Sequence, residues 1–298
     1  MLFNSIIFIT VFLPIALLGW FLLQRLENPI YAKLFIVGMS FWFYGYYNLF
    51  YLWILLASIF FNFVFSVLME HMGKPGMRKL LLAVGLLGNI GMLFYFKYFN
   101  FFVDNCNYLL HTDIHLEKIA LPLGISFFTF QQISFVVERY RGTAPHYTLP
   151  DYMFFVSFFP QLIAGPIVLH SELIPQLQER KNRRPSADQF FDGFALFILG
   201  LAKKVLLADS LAVLVNAEYN NIAALDSPSA WIVICFYMME LYFDFSGYCD
   251  MARGIGKLFG FRLPENFNSP FQAVSVKDFW RRWHMTLSRF LADYIYIP

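Results

Sequence analysis

The sequence predicts an all-α polytopic membrane protein of about seven transmembrane helices, a re-entrant segment and a C-terminal motif helix. Three observations carry this. Of the 298 residues, 59% are hydrophobic and only 14% charged, against about 25% charged in ordinary soluble domains. Uncharged runs are long. Neither Met1–Leu23 nor Leu34–Met69 contains Asp, Glu, Lys or Arg, and the second could cross a ~30 Å hydrocarbon core twice. Basic residues gather between the apolar runs, as cytoplasmic loops require.

The expected spans are Phe3–Leu23, Leu34–Asn48, Leu49–Met69, Leu80–Val103, Ile119–Val137, Phe190–Val215 and Trp231–Met251. Gly45–Asn48 is the expected turn between the second and third. The N-terminus lacks a positive n-region and a small-residue cleavage site, so it reads as a first span. Arg25 and Lys33, Lys74, Arg78 and Lys79, Arg139 and Arg141, and the cluster Arg180, Lys181, Arg183 and Arg184 mark the inside. Segments 104–117 and 217–229 fit outside. This order puts the N-terminus outside and residue 298 inside. Phe154–Leu169 is apolar but flanked by basic segments on both sides, and Pro160 and Gly165-Pro166 interrupt it. It reads as re-entrant and cavity-lining, the alternative being a helix lying on the membrane surface. With no internal repeat or linker, residues 1–298 form one membrane-embedded domain.

Some functions are excluded early. A net charge of +2 gives no reason to expect a nucleic-acid partner. Cys106, Cys235 and Cys249 form no CxxC pair, so neither a disulfide framework nor a zinc site is expected. His111 and His115 lack a third ligand, so no metal is expected. Gly254-Ile-Gly256 follows no strand and is not a nucleotide fingerprint.

Ionisable groups at membrane depth are costly and face the bundle interior. Tyr237, Glu240, Asp244 and Tyr248 are spaced to share one helical face, as a structural network or a substrate contact. Asp250 and Arg253 are expected to anchor the cytoplasmic end of that helix. Lys203 and Lys204 are expected to snorkel to the interface. Gln131 and Gln132 read as amide glue between helices.

Leu263–Pro298 is the most informative stretch. Ser275–Asp278 resembles a capping box, and a helix is expected through Phe279-Trp-Arg-Arg-Trp-His284. On a wheel, Trp280, Trp283, His284, Leu287 and Leu291 share one face, and Arg281, Met285 and Arg289 another. The first face would press one imidazole between two indoles into the bundle, as a catalyst or as a hydrogen-bonded core histidine. An imidazole there would stay neutral, as a general base requires.

Asp278-Phe-Trp-Arg-Arg-Trp-His284-Met-Thr-Leu-Ser288 resembles the signature of the membrane-bound O-acyltransferase (MBOAT) family, in its bacterial alginate O-acetyltransferase-like branch. Leu121–Ser126, Phe158–Pro166, Tyr242–Tyr248 and Leu258–Asn266 agree with it in the same order. The resemblance implies helices around a central tunnel. An acyl group, acetyl by expectation, passes from a cytoplasmic donor to a hydroxyl of an extracytoplasmic polysaccharide or similar polymer. The donor would be acetyl-CoA or an acyl-carrier-linked thioester, with no bound cofactor. The setting would be the bacterial cytoplasmic membrane, with periplasmic or extracellular acetylation proteins as partners. His284 matches a reacting histidine. A second histidine, the expected base, would follow beyond Tyr294–Pro298, so the chain reads as incomplete at its C-terminus. Trp280, Arg281, Arg282, Trp283, Ser288, Asn266, Asp244 and Glu240 are the expected tunnel and substrate residues. Asp244 would orient the network around His284, and the arginines would hold a phosphate-bearing donor. A transporter or flippase, or an inactive truncated scaffold, are the competing classes.

Overall fold

The computed structural model describes residues 1–112, 119–179 and 185–297. His115 and the basic cluster Arg180, Lys181, Arg183 and Arg184 lie outside the described residues. Regular structure among the described residues is helical, with no strand. Helices α1 (Phe8–Leu23), α2 (Ile30–Gly45), α3 (Leu49–His71) and α4 (Pro75–Leu110) come first. Next are α5 (Ile125–Arg141), the short α6 (Leu149–Ser157) and α7 (Phe159–Leu162), and α8 (His170–Gln178). α9 (Ala187–Ala202) runs through a π-helical turn, Lys203–Ala208, into α10 (Asp209–Tyr219). The long α11 (Ser227–Leu258) precedes the short α12 (Val276–Arg282) and α13 (Met285–Leu291).

Three of these, α3, α4 and α11, are long and apolar enough to cross a membrane, and α1 and α2 are shorter apolar helices. The count of about seven spans is therefore not reproduced, for two physical reasons. The expected fifth span starts at Ile119, yet α5 begins only at Ile125. Asn100 of α4 holds Ile119 by its backbone N–H (3.2 Å) and C=O (3.0 Å), and Gly124 (φ 72) turns the chain. The expected sixth span, α9 with α10, is continuous through its π-helical turn but carries Asp192, Lys203, Lys204 and Asp209, too many charges for an apolar crossing. Elsewhere boundaries follow local chemistry. Asn48 Oδ1 accepts from the Phe50 N–H (2.9 Å) and starts α3 after the expected turn. Asp226 caps α11 through the Ser229 N–H (3.0 Å), with Pro228 in its first turn.

The broken segment 154–169 lies at the centre of the protein. Phe154, Phe155, Phe158, Phe159 and Leu162 are fully buried, which removes the surface-lying alternative. Phe159 meets Phe12 edge-on (5.2 Å) and Phe43 (5.5 Å). In lipid such close ring packing stands in for the hydrophobic drive between helices. Leu169, at its end, lines a cavity with Glu138, Arg141, Thr143 and Tyr294. Side chains from several helices close around the stretch and satisfy its irregular backbone. Ser40 Oγ accepts from the Phe159 N–H (3.2 Å), Thr286 Oγ1 from Ile167 (3.0 Å) and Glu172 Oε2 from Leu169 (2.9 Å). Gln131 Nε2 donates to Val168 O (3.3 Å) and Arg289 Nη2 to Ile167 O (3.2 Å).

The amide glue is present. Gln132 Oε1 accepts from Asn62 (3.1 Å) and Tyr152 (3.2 Å), and its Nε2 donates to Ser58 (2.9 Å). The snorkelling expected of the lysines is not found. Lys203 pairs with Asp250 (2.6 Å), and Lys204 with Asp209 (2.8 Å) and Asp244 (2.7 Å). These pairs tie α11 to the π-helical turn, because a carboxylate on the facing helix neutralises each ammonium at less cost than a path to the interface.

The antiparallel α9–α11 contact is set by glycines at matching intervals. A Cβ at Gly200 would stand 2.6 Å from Gly247 O and Met251 N, and one at Gly254 would stand 2.7 Å from Gly193 O. Only hydrogen fits between such backbones. Gly254 is thus a packing residue. Gly200→Ala should destabilise the protein by about 1–3 kcal/mol. Gly91→Ala, in the same chemistry but with open space around it, should be neutral or stabilising by up to about 1 kcal/mol. Thermal unfolding in one detergent tests the contrast, and equal effects would contradict it.

Candidate functional site

The segment after α11 does not form the single helix expected of it. Ser275 Oγ accepts from the Asp278 N–H (3.1 Å) and starts α12 as anticipated, but α12 ends at Arg282. Trp283 is extended and His284 is left-handed (φ 43, ψ 53), standing at the start of α13. The helical wheel therefore fails. Trp280 and Leu287 lie on different helices, and His284 sits at the corner between them. A left-handed non-glycine residue costs roughly 1–2 kcal/mol and persists where neighbours over-determine it. Here the Asn268 N–H donates to Arg282 O (2.9 Å) and the Met285 N–H to Asn266 O (2.9 Å).

Asn266 holds the corner by its side chain as well. Its Oδ1 accepts from the Thr286 N–H (3.2 Å), the Thr286 hydroxyl (2.8 Å) and His284 Nδ1 (3.1 Å). A backbone N–H can only donate, so the amide orientation follows. The His284 contact must then be Nδ1–H donating to oxygen, which leaves Nε2 as a lone-pair acceptor. Among the described residues, none bonds Nε2. Asn266 Nδ2 donates to Cys249 Sγ (3.3 Å) on α11. The ring meets Phe245 edge-on (4.8 Å) and lies roughly parallel to Phe127 (6.4 Å). Burial among these rings lowers the His284 pKa to about 4, so the imidazole is neutral near pH 7. The site is a neutral, oriented imidazole with one free basic nitrogen.

The other sequence-predicted residues divide. Asn266 and Trp283 join His284. Trp283 stacks on Phe279 (5.5 Å) and meets Phe267 edge-on (5.1 Å). Trp280 is 56% exposed rather than buried. Ser288 Oγ donates to Trp280 O (3.3 Å) and so braces α12 against α13. Arg282 is engaged by Asp278 Oδ1 (3.0 Å), whereas Arg281 is exposed. Asp244 does not orient His284. Its side chain is 52% exposed and bound to Lys204. Glu240 is half-buried with its Oε2 enclosed and unbonded among the described residues. Nor do the four residues expected on one inward face stay together, since Tyr237 is exposed and meets Tyr219 (5.8 Å).

Sequence reasoning missed Thr286, Phe127, Phe245 and Cys249. Thr286 lay inside the motif and showed no periodicity signal, because its role depends on the corner. It also missed the bidentate contact of Arg289 with Glu172 (2.6 and 3.0 Å), which ties α13 to α8.

Residues 36–298 match the MBOAT, membrane-bound O-acyltransferase family. The whole chain is 42% identical to 62% of the peptidoglycan O-acetyltransferase of Helicobacter pylori. It is likewise 40% identical to 61% of the probable alginate O-acetylase AlgI of Pseudomonas putida. Over 59% of its length it is 30% identical to 45% of the teichoic acid D-alanyltransferase of Bacillus subtilis. The chain thus spans about three fifths of the length of the first two.

Removing the Asn266 amide would leave three buried or half-buried donors without their acceptor. Asn266→Ala should cost about 1–3 kcal/mol of stability and release the His284 tautomer. Nitrogen-15 NMR of histidine-labelled protein should report one Nδ1–H tautomer in the native protein and a mixture in the variant. An unchanged spectrum would show that Asn266 does not set the tautomer.

Proposed function

The chain belongs to the membrane-bound O-acyltransferase family, and on that footing we propose that it carries the acceptor-activating half of an O-acyltransferase. An acyl group, acetyl by our reading, moves from a cytoplasmic thioester donor to a hydroxyl of an extracytoplasmic polysaccharide or cell-wall polymer. The donor is acetyl-CoA or an acyl-carrier thioester, reached through a tunnel between the helices. The single observation that carries the proposal is His284 Nε2. It is neutral, pre-oriented and unbonded among the described residues, at a corner where a strained backbone is held in place.

The residues divide the work as follows. We give the role of base to His284 rather than to the second histidine that the resemblance implied: Nε2 accepts the hydroxyl proton as the acceptor oxygen bonds to the acyl carbon and the carbon–sulfur bond breaks. The proton returns to the departing thiolate. Asn266 Oδ1 keeps Nδ1–H in place and steadies the transient imidazolium. The rings of Phe245 and Phe127 exclude water, which keeps the base neutral beforehand. Arg281 offers an exposed guanidinium to a phosphate on the donor. The full-length relatives named as acting on peptidoglycan and alginate support the polymer class. Ion-coupled transport has less support, because Asp244 is spent on Lys204.

The proposal places the protein in the bacterial cytoplasmic membrane with its N-terminus outside. In a background free of native cysteines, an impermeant maleimide on intact cells should label Asn220→Cys and spare Glu27→Cys. The reverse pattern would invert the orientation.

In the protein as its native host expresses it, His284→Ala should lower acyl transfer about 10²-fold or more, with expression little changed. A core histidine would instead lower yield or melting temperature and leave turnover per folded molecule near normal. The pH profile gives a second test. With the folded pKa near 4, below the ordinary value of about 6.5, the base stays neutral until the pH falls through about 4. The acid limb of kcat/KM should therefore lie near pH 4. A limb near pH 6.5 would mean a different base.

A further inference from the structure

Lys97 is a cation that the proposed chemistry does not use. It sits in the π-helical turn Phe94–Tyr98 inside α4. Several other lysines on the helices face carboxylates: Lys33 faces Asp151, Lys203 faces Asp250, Lys204 faces Asp209 and Asp244, and Lys257 faces Asp192 (3.6 Å). Lys97 has no carboxylate partner among the described residues. Among the described residues its Nζ reaches Ser126 Oγ (3.4 Å) and the Tyr98 ring (5.4 Å).

Where that charge points is informative. Ser126 opens α5, and the next residue, Phe127, supplies the ring beside His284. Phe130, one turn on, stacks on Phe290 of α13 (4.7 Å). Asn100, three residues after Lys97, clamps Ile119 at the start of the segment leading into α5. Lys97 therefore lies along the outside of the wall that lines the His284 corner. It also lies far from the basic end of α4. The 22 residues from Pro75 to Lys97 (97 − 75) rise about 33 Å at 1.5 Å each, roughly one hydrocarbon thickness. With Arg78 and Lys79 on the cytoplasmic side, Lys97 reaches the opposite boundary.

We infer that Lys97 recognises an oxyanion, carboxylate or phosphate, carried by the acceptor polymer on the far side of the His284 site. The inference rests on the reading of His284 as the acceptor-activating group. An ammonium is a compact point charge with three donors. Ser126 takes one of them and leaves the others for a ligand. A lysine merely snorkelling to lipid phosphates would extend away from the bundle, whereas the exposed Lys97 keeps its Nζ within 3.4 Å of Ser126 Oγ on α5.

Equilibrium binding in nanodiscs tests this without requiring turnover. The probes are an oligouronate, a glycerol-phosphate oligomer, and a neutral oligosaccharide of matched length. The native protein should bind at least one charged probe about tenfold or more tighter than the neutral one. Lys97→Gln should abolish that preference without changing neutral binding, and Lys97→Arg should retain most of it. Repeating the measurement in discs of phosphatidylcholine alone and with phosphatidylglycerol separates the sources. The Lys97→Gln loss should be the same in both. Three results would overturn the inference: no charge preference in the native protein, equal loss for charged and neutral probes, or a Lys97→Gln effect confined to phosphatidylglycerol discs. Because binding is read directly, a Lys97-dependent preference in a protein whose His284→Ala variant still turns over would fail the function proposed above and leave this one standing.

Discussion

One chain of hydrogen bonds joins the parts of this protein that matter. The Ile167 N–H donates to Thr286 Oγ1, the Thr286 hydroxyl donates to Asn266 Oδ1, and His284 Nδ1 donates to the same oxygen. Irregular backbone at membrane depth must find partners within the protein. The broken segment finds one of its partners in Thr286, and that demand fixes where α13 starts. Because α13 starts there, the chain must turn at His284, and Asn266 is left with the geometry to hold the turn. The constraint that keeps a kinked segment inside the bundle is the one that orients the imidazole.

The surrounding packing serves the same end. α11 supplies Cys249 to Asn266 and Phe245 to the His284 ring, and it is itself locked against α9 by glycines that let the backbones touch. Arg289 bridges α13 to Glu172 and to Ile167 O, so the corner is pinned on both sides. A single strained residue amid so many independent contacts is the arrangement expected where a reacting group must not move.

Much of this was legible from sequence, and the rest failed for identifiable reasons. Charge-free runs and the basic residues between them located α1 to α4 and α11 to within about seven residues at each end. Gln132 was read as interhelical glue and is so, whereas Gln131 bonds the irregular backbone at Val168 instead of another helix. The wheel drawn through Trp280, His284 and Leu291 failed because nothing in Arg282-Trp-His-Met signals a break. The break comes from backbone hydrogen bonds to Asn266 and Asn268, which lie 14 or more residues earlier. Asp244 joins a structural ion-pair network, one of the two readings of its helical face, but does not reach His284, because one-helix periodicity cannot see that Lys204, on another helix, claims it. The burial of 154–169 followed from its apolar content, and side chains from other helices close around its phenylalanines.

The account turns on whether His284 Nε2 meets the acceptor hydroxyl. A cryo-electron-microscopy structure of the protein with a hydroxyl-bearing acceptor fragment bound would measure this directly. The account predicts the hydroxyl oxygen within about 2.6–3.2 Å of Nε2, with Nδ1 still bonded to Asn266. An acceptor hydroxyl held by another side chain, with His284 Nε2 turned away from it, would contradict the account.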